Sequence, residues 1–210
     1  WMLATVLTLL RYLCVLVTLL LPALYIAMAT FHQEMIPTRL ALSMIAAKQD
    51  VPFQTVFEVL IMLVAFEILQ EAGLRLPQSI GQTVSIIGGL VVGQAAVEAK
   101  IVSPAVLIAV AIAGIAGYTM PSQEVAGALR IWRFLLAVLA SAAGLFGVVG
   151  GAALLVYHLA KVESFGVPYL APFAGGAGLG GTARAVIRAP LPWQKLRERI
   201  LKPPNRRKQG

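Results

Sequence analysis

Uncharged stretches about as long as a bilayer is thick recur along this chain. The first covers 12–31: 20 positions without Asp, Glu, Lys or Arg, opened by Arg11 and interrupted only by Pro22, which should kink a helix. Residues 80–99 and 101–120 form a pair divided by Lys100, with Ser103 and Pro104 suited to the cap and first turn of the second helix. The fourth, 134–158, carries 24 consecutive uncharged residues before His158. At 1.5 Å rise per residue, about 20 apolar residues cross roughly 30 Å of hydrocarbon. The pattern predicts an all-α fold: a polytopic helical membrane protein.

Between the first and second runs the pattern changes. Thr38 offers a cap to a short amphipathic helix over 38–49, with Leu40, Ala41, Met44 and Ile45 on one face and Arg39 and Ser43 on the other. Asp50 and Pro52 open another helix over 53–72, which Gly73 and Pro77 close. Its uncharged centre, 59–66, is eight residues bounded by Glu58 and Glu67, too short to face lipid. It is expected to be interfacial, re-entrant or buried among other helices. The expectation is four to five transmembrane helices, with further amphipathic or re-entrant ones, in a domain over 1–183. Within it, 162–182 holds Pro168, Pro172 and six glycines and reads as a loop at the membrane surface.

Composition agrees with lipid as the solvent. The 210 residues are 59% hydrophobic and 12% charged, against about 25% charged in soluble domains, and the mean hydropathy is +0.85. The net charge of +8 is concentrated: nine of the 17 basic residues lie between Arg184 and Lys208. Residues 184–210 therefore read as a basic tail, with Arg184, Arg188, Lys195 and Arg197 at the membrane surface beside anionic lipid; no nucleic acid is expected. The excess of positive charge puts this tail in the cytoplasm, and four spans put the N-terminal end there too, with 32–79 outside.

No chemistry of an enzyme emerges. Cys14 is the single cysteine, His32 and His158 have no further ligand at metal spacing, and no nucleophile–base arrangement is visible. Gly176, Gly178 and Gly181 satisfy the G-x-G-x-x-G pattern, but no strand precedes them. Neither a metal nor a cofactor is expected.

Small residues repeat every fourth position along three runs: Gly81, Ser85, Gly89 and Gly93; Ala105, Ala109, Ala113 and Gly117; Ala143, Gly147 and Gly151. Helices in lipid associate through such lines because backbones approach closely there, so a tight bundle, a homo-oligomer or both are expected. Polar groups at membrane depth form the second signal. Gln94 and Glu98 lie four apart on one helix face, as do Glu67 and Glu71, with Arg75 a turn beyond. Intramembrane ionisable groups usually face water or a partner, and Gln94, Glu98 and Glu67 are the candidates for an ion pathway.

Several blocks together resemble the A subunits of GerA-type spore germination receptors. They are Pro37-Thr38, Val51-Pro52-Phe53, Phe66-Glu67-Ile68-Leu69, Glu71-Ala72-Gly73-Leu74-Arg75-Leu76-Pro77, the run from Ile80 to Gly89, Gly93-Gln94-Ala95-Ala96-Val97-Glu98-Ala99, Val102-Ser103-Pro104, Ser164-Phe165-Gly166-Val167-Pro168-Tyr169-Leu170 and Ile187-Arg188-Ala189-Pro190. The resemblance implies a multi-pass protein of the inner membrane of bacterial endospores, working with a transporter-like B subunit and a lipoprotein C subunit. It further implies oligomerisation into a nutrient-gated cation channel, either in a receptor or in a close paralogue encoded with dipicolinate channel proteins. Family members carry a large soluble N-terminal domain, so the chain reads as the membrane part of such a protein. A small-molecule carrier and a non-conducting scaffold subunit remain the alternatives; the absence of a convincing internal repeat between 1–100 and 101–183 weighs against the carrier.

Overall fold

The structure is a computed structural model that describes residues 2–75, 88–89, 91–120, 123–164, 166–171, 173 and 186–187. The fold is all-α apart from one very short hairpin. Its helices are α1 (Met2–Thr30), α2 (Thr38–Lys48), α3 (Thr55–Arg75), α4 (91–98), α5 (Pro104–Gly117) and α6 (Gln123–Lys161). The chain divides into two compact units, Cys14–Gly151 and a second built from Trp1–Leu13 with Ala152–Gly210.

In the first unit the helices form a bundle of mixed directions that follow from paired contacts. Glu58 meets Ser103, and Phe66 and Gln70 meet Gly114, so α3 and α5 run parallel along most of their length. A Cβ built on Gly117 would lie 3.6 Å from Thr18, while Tyr25 stands beside Ser103, so α1 runs the other way. The core between them is fully buried Ile26, Val59, Met62, Leu63, Val106, Val110 and Leu136. Outward positions are also apolar: Ile115, Ile131, Phe146 and Val149 are all more than 60% exposed. An exterior carrying so many large apolar side chains matches lipid or a partner better than water.

Among the described residues two helices, Met2–Thr30 and Val125–Lys161, are long and apolar enough to cross a membrane by length and composition. The second is not straight. Gly144 has φ 59° and ψ −136°, a backbone conformation that an L side chain rarely adopts. After it the chain folds back: a Cβ on Gly147 would lie 2.0 Å from the carbonyl oxygen of Leu139, and one on Gly151 would lie 2.5 Å from Leu136. Residues eight apart on a straight helix are about 12 Å apart, so these contacts require two antiparallel arms. The single helix expected over 134–158 is thus a hairpin, because only glycine makes the turn at 144 and only glycines let the arms touch.

Two boundaries also differ from expectation. Thr38 is the first helical residue of α2 and Pro37, which has no side chain to cap with, precedes it. Helix α3 runs through Gly73 to Arg75, held at its end by the Glu71–Arg75 pair. In the second unit, β1 (Glu163–Ser164) and β2 (Val167–Pro168) pair antiparallel around Gly166, and Tyr12 meets Phe173 edge-on with ring centroids 6.2 Å apart.

Candidate functional site

Helix α3 carries the acidic residues that made it unlike a lipid-facing span, and the fold gives each a partner. Glu58 is completely buried. Its Oε2 accepts the backbone N–H of Ser103 at 2.7 Å, at the N-terminus of α5, and its Oε1 lies 3.2 Å from Lys48 Nζ. Lys48 also donates to the Thr55 hydroxyl. Ser103 takes the cap position expected for it, but its own side chain makes no cap bond; a carboxylate from α3 supplies the negative charge that a helix N-terminus favours. This cluster borders a cleft of about 250 Å³ walled by Ala29, Ile36, Met44 and Ile45 and floored by Tyr25, Lys48, Thr55 and Ser103.

The other end of α3 holds a larger ion network. Glu67 pairs with Arg130 at 2.5 Å and with Arg133 at 3.0 Å. Glu71 pairs with Arg75 at 2.8 Å and lies 3.7 Å from Arg130. Glu67, a candidate for the ion pathway, is therefore engaged in cross-linking α3 to α6, and among the described residues no hydrogen bond or ion pair joins it to Gln94 or Glu98.

Gln94 and Glu98 are brought together. On α4 both are exposed, and Gln94 Nε2 donates to Glu98 Oε1 at 3.0 Å. Lys100, adjacent in sequence, instead pairs with Asp50 Oδ2 at 2.7 Å. It sits at φ 55° just past the end of α4, where its N–H bonds the Val97 carbonyl and the next N–H bonds Ala96. That is the reversed turn that usually ends on glycine.

The small-residue lines are used largely within the chain. Ala109 and Ala113 are buried and Gly117 faces Thr18. A Cβ on Gly93 would touch Leu107 of α5 at 3.0 Å, and Gly147 and Gly151 line the arms of the α6 hairpin. Among the described residues nothing lies within 4 Å of a Cβ built on Gly89. Gly81, Ser85 and the basic Arg184, Arg188, Lys195 and Arg197 lie outside the described residues, as does nearly all of the 184–210 tail.

Sequence reasoning missed the Glu58–Lys48–Ser103 cluster, because no periodicity links groups on three elements. The Glu67 network had a usable signal. Two acids one turn apart at Glu67 and Glu71 match two arginines one turn apart at Arg130 and Arg133.

Comparison with known proteins bears on this arrangement. The chain matches, over residues 1–200, the family described as Bacillus/Clostridium GerA spore germination protein. It is 51% identical over 161 residues to "Uncharacterized membrane protein YfkQ" of Bacillus subtilis (strain 168), covering 77% of this chain and 31% of that protein. It is 46% identical over 187 residues to "Spore germination protein KA" of the same organism, covering 89% and 34%. A third relative there, "Spore germination protein A1", is 39% identical over 191 residues, covering 91% and 39%. The chain thus spans about a third of the length of the curated relatives it matches. No solved structure matches it. With a match running over residues 1–200 and several such relatives, the chain belongs to the GerA family of spore germination proteins.

Proposed function

We propose that this chain is the membrane part of an A subunit of a spore germinant receptor, and that copies of it assemble around a cation path that opens in response to nutrient. One observation carries the placement of that path. Every described carboxylate on α3 is neutralised inside the chain, whereas Gln94 and Glu98 pair with each other on an exposed face of α4. The neighbouring face of α4 packs on α5 through Gly93, and Gly89 leaves room for close approach of another helix. Exposed polar groups on an otherwise apolar bundle fit a water-filled path shared between copies.

In this reading the span expected over 80–99 is kept, and α1, α3, α5 and both arms of α6 also cross the bilayer of the spore inner membrane, six crossings in all. Helix α3 adds one crossing and the reversal at Gly144 adds another. The parity is unchanged, so both ends of the domain stay cytoplasmic, with the basic tail beside anionic lipid. Transporter-like B and lipoprotein C subunits are the partners that membership of a receptor implies.

Two experiments test this reading. Gln94→Ala and Glu98→Ala alter cation release from germinating spores while the protein still accumulates at its normal level; normal release in both overturns the placement on α4. Planar-bilayer recording of the purified full-length protein tests the class: current supports a channel, saturable substrate flux without current indicates a carrier, and neither indicates a scaffold.

A further inference from the structure

The ion network at the Glu67 end of α3 is not balanced internally. Arg130 and Arg133 lie one helical turn apart and both reach Glu67. Glu71 is already held by Arg75, whose Nε and a terminal nitrogen donate to it at 3.0 and 2.8 Å. Three guanidinium groups, those of Arg75, Arg130 and Arg133, therefore share two carboxylates, and one of them, Arg133, is only 3% exposed. An unbalanced cation in such surroundings is costly unless a counter-charge completes it.

Beside the network lies a small pocket of about 40 Å³, lined by Thr18, Gln70, Gly117, Arg130 and Arg133 among others, and among the described residues no carboxylate lines its wall. Two buried polar atoms of these residues have no hydrogen-bond partner among the described residues: Arg133 Nε and the Thr18 hydroxyl. Arg133 Nε only donates, and a hydroxyl can donate. The Gln70 amide adds further N–H capacity, since its one contact, to the Gly114 carbonyl, is long at 3.4 Å.

We propose that this pocket binds one small inorganic anion such as chloride, held by Arg133, Arg130 and the hydroxyl of Thr18. The sign follows from the lining: two guanidinium groups repel a cation, and a water molecule would answer the donors but leave the excess charge. The volume exceeds the roughly 10–15 Å³ that a single water requires, so the pocket has room for a small anion. The site joins α1 through Thr18, α3 through Gln70, α5 through Gly117 and α6 through both arginines. An occupant that binds only the folded bundle therefore stabilises it by mass action.

The test uses the full-length protein in detergent micelles. Its thermal unfolding midpoint is titrated with sodium bromide replacing sodium gluconate at constant ionic strength. A saturable upward shift is expected. Thr18→Val should weaken the apparent bromide affinity about tenfold, the worth of one hydrogen bond to a charged group, while Thr18→Ser retains it. Equal midpoints in bromide and gluconate would mean that the pocket holds water, and would overturn the proposal. So would a bromide shift that fails to saturate, or one that Thr18→Val leaves unchanged. Should the valine variant fail to fold, line broadening of the bromide NMR signal reads the site in the unsubstituted protein. Broadening that chloride reverses supports the proposal, and absence of broadening refutes it.

Discussion

Replacing Lys48 with methionine removes the counter-ion of a carboxylate that has no water around it. Glu58 is fully buried, whereas the Lys48 side chain is 35% exposed, and this asymmetry sets the order of the effects. In Lys48→Met the charge of Glu58 stays inside the bundle with only the Ser103 N–H to answer it. Breaking a buried pair by removing one partner costs about 3–5 kcal/mol, and the remaining hydrogen bond brings the expectation to the lower end, about 3 kcal/mol. In Glu58→Gln the amide oxygen can still accept from Ser103, and Lys48 turns toward solvent along its flexible stem. The loss there is the charge-assisted part of one hydrogen bond, about 1 kcal/mol. The double variant should cost no more than Glu58→Gln alone, because it has no buried charge left to strand. The assay is a double-mutant cycle on reversible unfolding in mixed detergent micelles. If Glu58→Gln is as costly as Lys48→Met, or if the two changes add, then Lys48 is not the counter-ion of Glu58 and the reasoning fails.

Two further predictions address the backbone. Gly147→Ala should cost several kcal/mol, because its Cβ would fall 2.0 Å from the Leu139 carbonyl oxygen, whereas Gly150→Ala meets nothing within 4 Å and should be neutral or stabilise by about 0.5–1 kcal/mol; unfolding midpoints of the two variants compare them directly, and equal effects would rule out the α6 hairpin. Lys100→Gly should stabilise slightly, since relief of the left-handed backbone at φ 55° is worth about 1–2 kcal/mol and the lost Asp50 pair, exposed on both sides, about 0–1 kcal/mol; Lys100→Ala loses the pair without that relief and should destabilise.

How much of this was legible beforehand depended on distance along the chain. The helix over 101–120 was readable because its cap residues and apolar run are contiguous, and α5 indeed follows Ser103 and opens on Pro104. The Gln94–Glu98 contact was readable because residues four apart on a helix are neighbours. The role of Glu67 was not. Its place in a short apolar run made it a candidate for an ion pathway, but its partners, Arg130 and Arg133, stand more than sixty residues away in sequence.

The sequence by itself determined the solvent and the building material of this protein. Long uncharged runs demand helices, since backbone groups in lipid must bond within their own segment, and small-residue lines demand that those helices pack closely. Tertiary structure decided which charges are internal and where the chain turns. An apolar run does not reveal that Gly144 will reverse it, because the reversal becomes favourable only when Gly147 and Gly151 find Leu139 and Leu136 across the turn. Nor does a carboxylate in a short apolar helix reveal whether it faces water or a partner. Glu58 is tolerable in the core because α2 and α5 bring an ammonium and a backbone N–H to it from opposite sides in sequence, and only the assembled bundle supplies both.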